Sequence, residues 1–150
     1  MALDDIYKEV ILDHYKNPRN KREMPDAELS CSRNNPLCGD EITVFVHAED
    51  GKVHEVSFTG QGCSISQSSA SMMTEAVAGK AVEDVQALIG DFRSMMAGDL
   101  DPSEEELGDL VALKGVVKYP IRIKCAVLAW DVLQEALGGT GGEASGGSPH

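Results

Sequence analysis

The chain has 150 residues, 42% of them hydrophobic and 25% charged, which is enough for one domain with a real core. Its formal charge of −12 argues against a nucleic-acid interface, which needs a surplus of Lys and Arg, and equally against an anionic membrane surface. No apolar run approaches the roughly 20 residues that span a bilayer, and MALDDIYKEV has neither the basic start nor the apolar stretch of a signal peptide, so a cytoplasmic protein is expected.

Residues 3–16 read as an amphipathic helix with Leu3, Ile6, Tyr7, Val10 and Ile11 on one face; Pro18 ends it within a polar turn from Asn17 to Arg22. A weak strand pattern follows over 27–34. Residues 41–48 and 53–60 are rich in Val, Ile, Phe and Thr, and Glu49-Asp50-Gly51-Lys52 makes a hairpin turn between them. Helical spacing resumes after Gly62, where Ser64 and Gln67 have the form of a capping box, and Ile65, Met72, Met73, Ala76 and Val77 share a face. Val82, Val85, Leu88, Ile89 and Phe92 mark another helix. A loop around Asp99 follows, then a short acidic helix capped by Ser103 and Glu106. Pro120 opens the last helix, whose stripe runs through Ile121, Cys125, Leu128, Ala129, Val132, Leu133, Ala136 and Leu137. This order predicts an α+β fold, a small antiparallel sheet of about three strands against several helices. The domain covers 1–137, and the Gly/Ser-rich stretch 138–150 is expected to be a disordered tail.

The four cysteines, in a reducing compartment, point to metal binding or catalysis before disulfides. No pair has the close spacing of a zinc finger, so local context has to decide. Cys38 and Asp40 flank Gly39 in a turn-forming segment, where a thiolate and a carboxylate can aim at one point; a loop cysteine beside a turn-capping Asp is the plain alternative. Cys63 follows Gly60-Gln61-Gly62 and precedes a helix, whose free amides favour a thiolate; a small residue filling a tight turn would look the same. Cys125 lies on the apolar stripe of the last helix, where core packing is the ordinary reading, but Arg122 and Lys124 flank it and a helix start is near. Cys31 has no glycine, acid or base arranged around it and reads as a structural thiol. Three thiolates and Asp40 would complete a tetrahedral zinc site with a net charge of −2, giving Arg122 and Lys124 a supporting role. His14 reads as a partly buried structural residue, and His47 and His54 as solvated strand residues.

With these residues laid out, the chain resembles the IscU/NifU N-terminal family of iron–sulfur assembly proteins, and its SufU branch in particular. The resemblance is carried by Asp13-His14-Tyr15-Lys16-Asn17-Pro18-Arg19-Asn20, Asn35-Pro36-Leu37-Cys38-Gly39-Asp40, Gly62-Cys63-Ser64-Ile65-Ser66 and Arg122-Ile123-Lys124-Cys125-Ala126-Val127-Leu128-Ala129-Trp130. It implies that Cys38, Asp40, Cys63 and Cys125 converge at one end of an α+β fold. Two departures separate the chain from the scaffold branch. Lys124 stands where that branch has a His, and a Leu-Pro-Pro-Val-Lys segment is represented only by Pro120, Ile121 and Arg122. The 61 residues between Cys63 and Cys125 resemble the helical insertion of SufU.

The resemblance implies a zinc-dependent sulfur acceptor that takes persulfide sulfur from a cysteine desulfurase of SufS type and serves a downstream assembly complex of SufBCD type. Cys38 is the expected nucleophile and Arg122 the residue that stabilises its thiolate. The alternative is a scaffold carrying a transient [2Fe–2S] cluster on the same ligands, and a third reading is an adaptor whose zinc only holds loops together.

Overall fold

The hairpin follows directly from the residue pattern. In the computed structural model, which describes residues 3–35, 39–98 and 108–141, strands β1 (Leu29–Asn35), β2 (Asp40–Glu49) and β3 (Lys52–Gln61) form an antiparallel sheet in the order β1-β2-β3. Ile42, Val44 and Val46 of β2 point to the core and are fully buried, as are Val53 and Phe58 of β3. The β2–β3 turn needs two consecutive left-handed residues, and Asp50 (φ 57°) and Gly51 (φ 76°) supply them. The tip of this hairpin is tied to the link between the next two helices: the Val53 N–H donates to the Lys80 carbonyl at 2.8 Å and the Val82 N–H to the Gly51 carbonyl at 2.8 Å.

The helices are α1 (Leu3–Lys16), α2 (Ser64–Val77), α3 (Val82–Met96) and α4 (Pro120–Gly141), with a 3₁₀ segment at Gly108–Lys118 before α4. Helix α2 is central, packed against α1, α4, β3 and the 3₁₀ segment. This position explains its composition. Ser66, Ser68, Ser69, Ser71 and Thr74 are all fully buried, and small hydroxyl side chains let neighbouring helices approach closely while bonding what they bury. Phe92 of α3 stacks on Trp130 of α4 with ring centroids 4.4 Å apart.

The segment from Asp13 to Asn20 is a latch between α1 and α2. The His14 Nδ1 and Ser71 Oγ lie 2.8 Å apart, the Arg19 N–H donates to the same hydroxyl at 2.9 Å, and Asn20 Nδ2 donates to Thr74 Oγ1 at 3.0 Å. His14 is thus a buried structural residue, as its place on the helix suggests.

Three local expectations differ from the structure or fall outside it. The helix α2 begins at Ser64 with Cys63 at its N-cap and no side-chain cap bond, so Ser64 and Gln67 do not form a capping box. The start of that helix is satisfied from another element. The 3₁₀ segment, with Leu110, Val111, Leu113 and Val116 buried, carries no helix-stop signal that would announce its tighter winding. The helix expected at Ser103 and Glu106 lies outside the described residues. Helix α4 continues through Gly138 to Gly141, and residues 142–150 lie outside the description.

Candidate metal centre

Three chain segments meet at one end of the sheet: the first residue of β2, the exit of β3 and the first turns of α4. Asp40, Cys63 and Cys125 come from these three, and their ligand atoms all lie within 4.8 Å of one another. Asp40 and Cys125 are fully buried, and Cys63 is partly buried.

Each residue is placed by a local cause. Asp40 pairs with Asn35 as β2 begins, which fixes its backbone, and its carboxylate turns toward the exit of β3. There Oδ1 accepts the Cys63 N–H at 2.9 Å, at the N-terminus of α2, where the helix dipole favours an anion. The other oxygen, Oδ2, accepts the Cys63 thiol at 3.9 Å. Asp40 therefore serves the helix start with one oxygen and the site with the other.

This arrangement requires glycine at residue 62. Its φ of +149° is a region that side chains rarely adopt, and a Cβ there would stand 2.1 Å from Asp40 Oδ1 and 2.9 Å from Ser66 Oγ. The neighbouring Gly60, at φ +150°, lets the strand pass Glu41, whose carbonyl oxygen would be 2.0 Å from a Cβ. Ser66 Oγ donates to the Cys63 carbonyl at 3.1 Å, so the cysteine's peptide groups are held on both sides.

On α4, Pro120 stands at the first helical position, where its missing N–H costs nothing. Cys125 is one turn further and its thiol reaches back to the Ile121 carbonyl at 3.6 Å. The exposed Arg122 lies over both thiols. The negative charge of Cys63, followed by a hydrogen bond to Cys125, holds its guanidinium even more firmly protonated than usual. Lys124 is also exposed.

Cys38 lies outside the described residues; in sequence it is two residues before Asp40, in the connection between the paired ends Asn35 and Asp40. Cys31 stands apart from the cluster, across from Val44 on β1. Its thiol is pushed up from its ordinary range by burial, and then by the adjacent carboxylate of Glu135. Asp40, Cys63, Cys125 and Arg122 are thus the sequence-derived site residues that the structure brings together. The carboxylate's bond to Cys63 and the hydroxyls of Ser66 and Ser69 are not apparent from the residues alone. The serine-rich register of α2 was the signal available for them.

The sequence pattern of the NifU-like N-terminal domain matches residues 6–126. The chain belongs to this family. Among relatives of this NifU-like chain, the zinc-dependent sulfurtransferase SufU of Bacillus subtilis is 45% identical over 135 residues, covering 90% of this chain and 91% of that protein. The iron–sulfur cluster assembly scaffold protein IscU of Streptococcus pyogenes is 42% identical, covering 90% and 84%. Of solved structures, an iron–sulfur cluster assembly scaffold protein for the SUF system from Fervidobacterium islandicum superposes with a TM-score of 0.82 at 32% identity, over 91% of this chain and 99% of that one. A NifU-like N-terminal protein of Brucella abortus, at 22% identity and TM-score 0.84, shares the fold, over 95% of this chain and 99% of that one. No described helix is long and apolar enough to cross a membrane.

Proposed function

We propose that this protein is an iron–sulfur cluster assembly factor that accepts persulfide sulfur from a cysteine desulfurase at a zinc centre formed by Cys38, Asp40, Cys63 and Cys125. The observation that carries the reading is the convergence of two thiols and a carboxylate oxygen within 4.8 Å. The donor set fits zinc: sulfurs bound at about 2.3 Å in a tetrahedron stand roughly 3.8 Å apart, so the present spacing needs only a small contraction. Cys38, two residues before Asp40 in sequence, is the fourth donor in this reading. A bound zinc ion keeps thiolates deprotonated at neutral pH without changing redox state itself.

Cys38 is the nucleophile, because it belongs to a short connection with Gly39 at φ +70°, whereas Cys63 is pinned by its own peptide groups and Cys125 is buried in a helix. Its thiolate attacks the outer sulfur of the desulfurase persulfide. The new S–S bond forms as the old one breaks, and the desulfurase cysteine leaves as a thiolate. Arg122 supports negative charge at the site. Tyr119 and Ile121, 60% and 61% exposed, give the partner an apolar rim around Arg122. The desulfurase is of SufS type, the persulfide passes on to a SufBCD-type complex, and the protein works in the cytoplasm.

Mass spectrometry after mixing with a desulfurase and cysteine, without iron, tests this. One added sulfur on the Cys38 peptide is expected, and none in Cys38→Ala. Sulfur recovered only as an iron-dependent cluster would replace this reading with the scaffold one, which uses the same ligands.

A further inference from the structure

The face that α2 turns to α4 carries a hydroxyl the centre does not use. Ser69 is fully buried. Its Oγ donates to the Ala126 carbonyl at 2.6 Å and accepts the Trp130 Nε1–H at 3.1 Å. Both partners are on α4: one is the residue after Cys125, and the other anchors the stack on Phe92. On α2, Ser69 is less than two helical turns from Cys63.

Packing alone does not explain a serine here. Alanine is a better helix former and brings no polar atom into the core. Ala126 and Ala129 of α4 are small and fully buried, so the helices approach closely through contacts that lack direction. A hydroxyl with two partners on the facing helix has direction. Sliding by one residue would shift α4 by about 1.5 Å along its axis, whereas metal ligands must hold their distances to within about 0.2 Å.

We infer that Ser69 is a positioning residue for the centre: with Trp130 and the Ala126 carbonyl it registers α4 against α2, so that Cys125 and Cys63 stand at bridging distance. The inference rests on the metal-centre reading above.

Zinc affinity by chelator competition, and the thiolate-to-metal charge-transfer band of the cobalt-loaded protein, are measured for the full chain, Ser69→Ala and Val85→Ala. Val85 is fully buried on α3 beside the hairpin tip, at the other end of the sheet from Asp40, and provides a stability loss without removing a Ser69 hydrogen bond. Ser69→Ala should bind zinc about 10- to 100-fold more weakly, as for other residues that orient metal ligands, with a weakened cobalt band. Val85→Ala should bind like the parent. Unchanged affinity in Ser69→Ala, or equal losses in both variants, overturns the inference. Should Ser69→Ala not fold, Trp130→Phe keeps an aromatic ring on Phe92 and removes the Nε1 donor, and unchanged affinity there overturns it as well.

A trivalent arsenical separates this inference from its premise, because it closes on two thiols and needs no zinc site. In a Cys31→Ser, Cys38→Ser background, closure on Cys63 and Cys125 should slow when Ser69→Ala is added. Slowed closure there, together with no zinc binding by the unmutated chain, sinks the metal reading and keeps the registry. Unslowed closure sinks the registry alone.

Discussion

Replacing Gly62 by Ala addresses the joint between the fold and the site. The new Cβ would lie 2.1 Å from Asp40 Oδ1 and 2.9 Å from its Cγ, so the carboxylate must swing away and release the Cys63 N–H. Two costs arise. The backbone at φ +149° strains a side chain by about 1–3 kcal/mol. Losing a backbone bond to a charged group adds about 1.5–3 kcal/mol. Gly79→Ala isolates the first cost, because its φ is +84° and a Cβ there meets nothing within 4 Å. Urea unfolding of both metal-free variants should therefore show Gly62→Ala losing roughly twice what Gly79→Ala loses. Zinc binding should fall only in Gly62→Ala. Equal losses with zinc affinity intact in both would refute the claim that glycine at 62 makes room for the carboxylate.

Asp40→Asn keeps an oxygen for the Cys63 N–H and removes the anionic ligand, so it should hold metal-free stability while losing zinc affinity; Asp40→Ala should lose both, read by melting and chelator competition. Ser71→Ala leaves the buried His14 and the Arg19 N–H without their shared hydroxyl, which should cost about 1–3 kcal/mol in urea unfolding. Cys31 has a raised pKa, so it is protonated at neutral pH and should alkylate more slowly than a free thiol in time-resolved mass spectrometry, and faster in Glu135→Gln. The same sign fixes its effect on stability. The contribution is complete below the ordinary value of 9.0 and is lost as pH rises through the higher folded value, so Cys31→Ala should flatten the alkaline limb of a stability–pH curve.

The α+β architecture and the hairpin are legible because period-two burial in β2 and Asp50-Gly51 in the turn are local signals. Helix α4 is legible because Pro120 marks its start and its stripe is long. The approach of Asp40 and Cys63 is legible through glycine and helix-start context, strengthened by the family motifs. The apparent capping box at Ser64 misleads because the cap comes from Asp40, 23 residues earlier and on another element. The serine-rich register of α2 hints at buried hydroxyls, but the role of Ser69 depends on a partner helix 57 residues away. The 3₁₀ segment Gly108–Lys118 packs against α1, α2, α3 and α4, contacts that its own residues do not announce.

Cysteine desulfurase turnover reports sulfur acceptance at the zinc centre. Alanine release would be followed with a cysteine desulfurase and no iron, adding this protein zinc-loaded or metal-stripped. Strong stimulation by the zinc-loaded form, lost in Cys38→Ala, is the expected result for a sulfur acceptor. An inert zinc form, with activity only in stripped or iron-supplied protein, would contradict it.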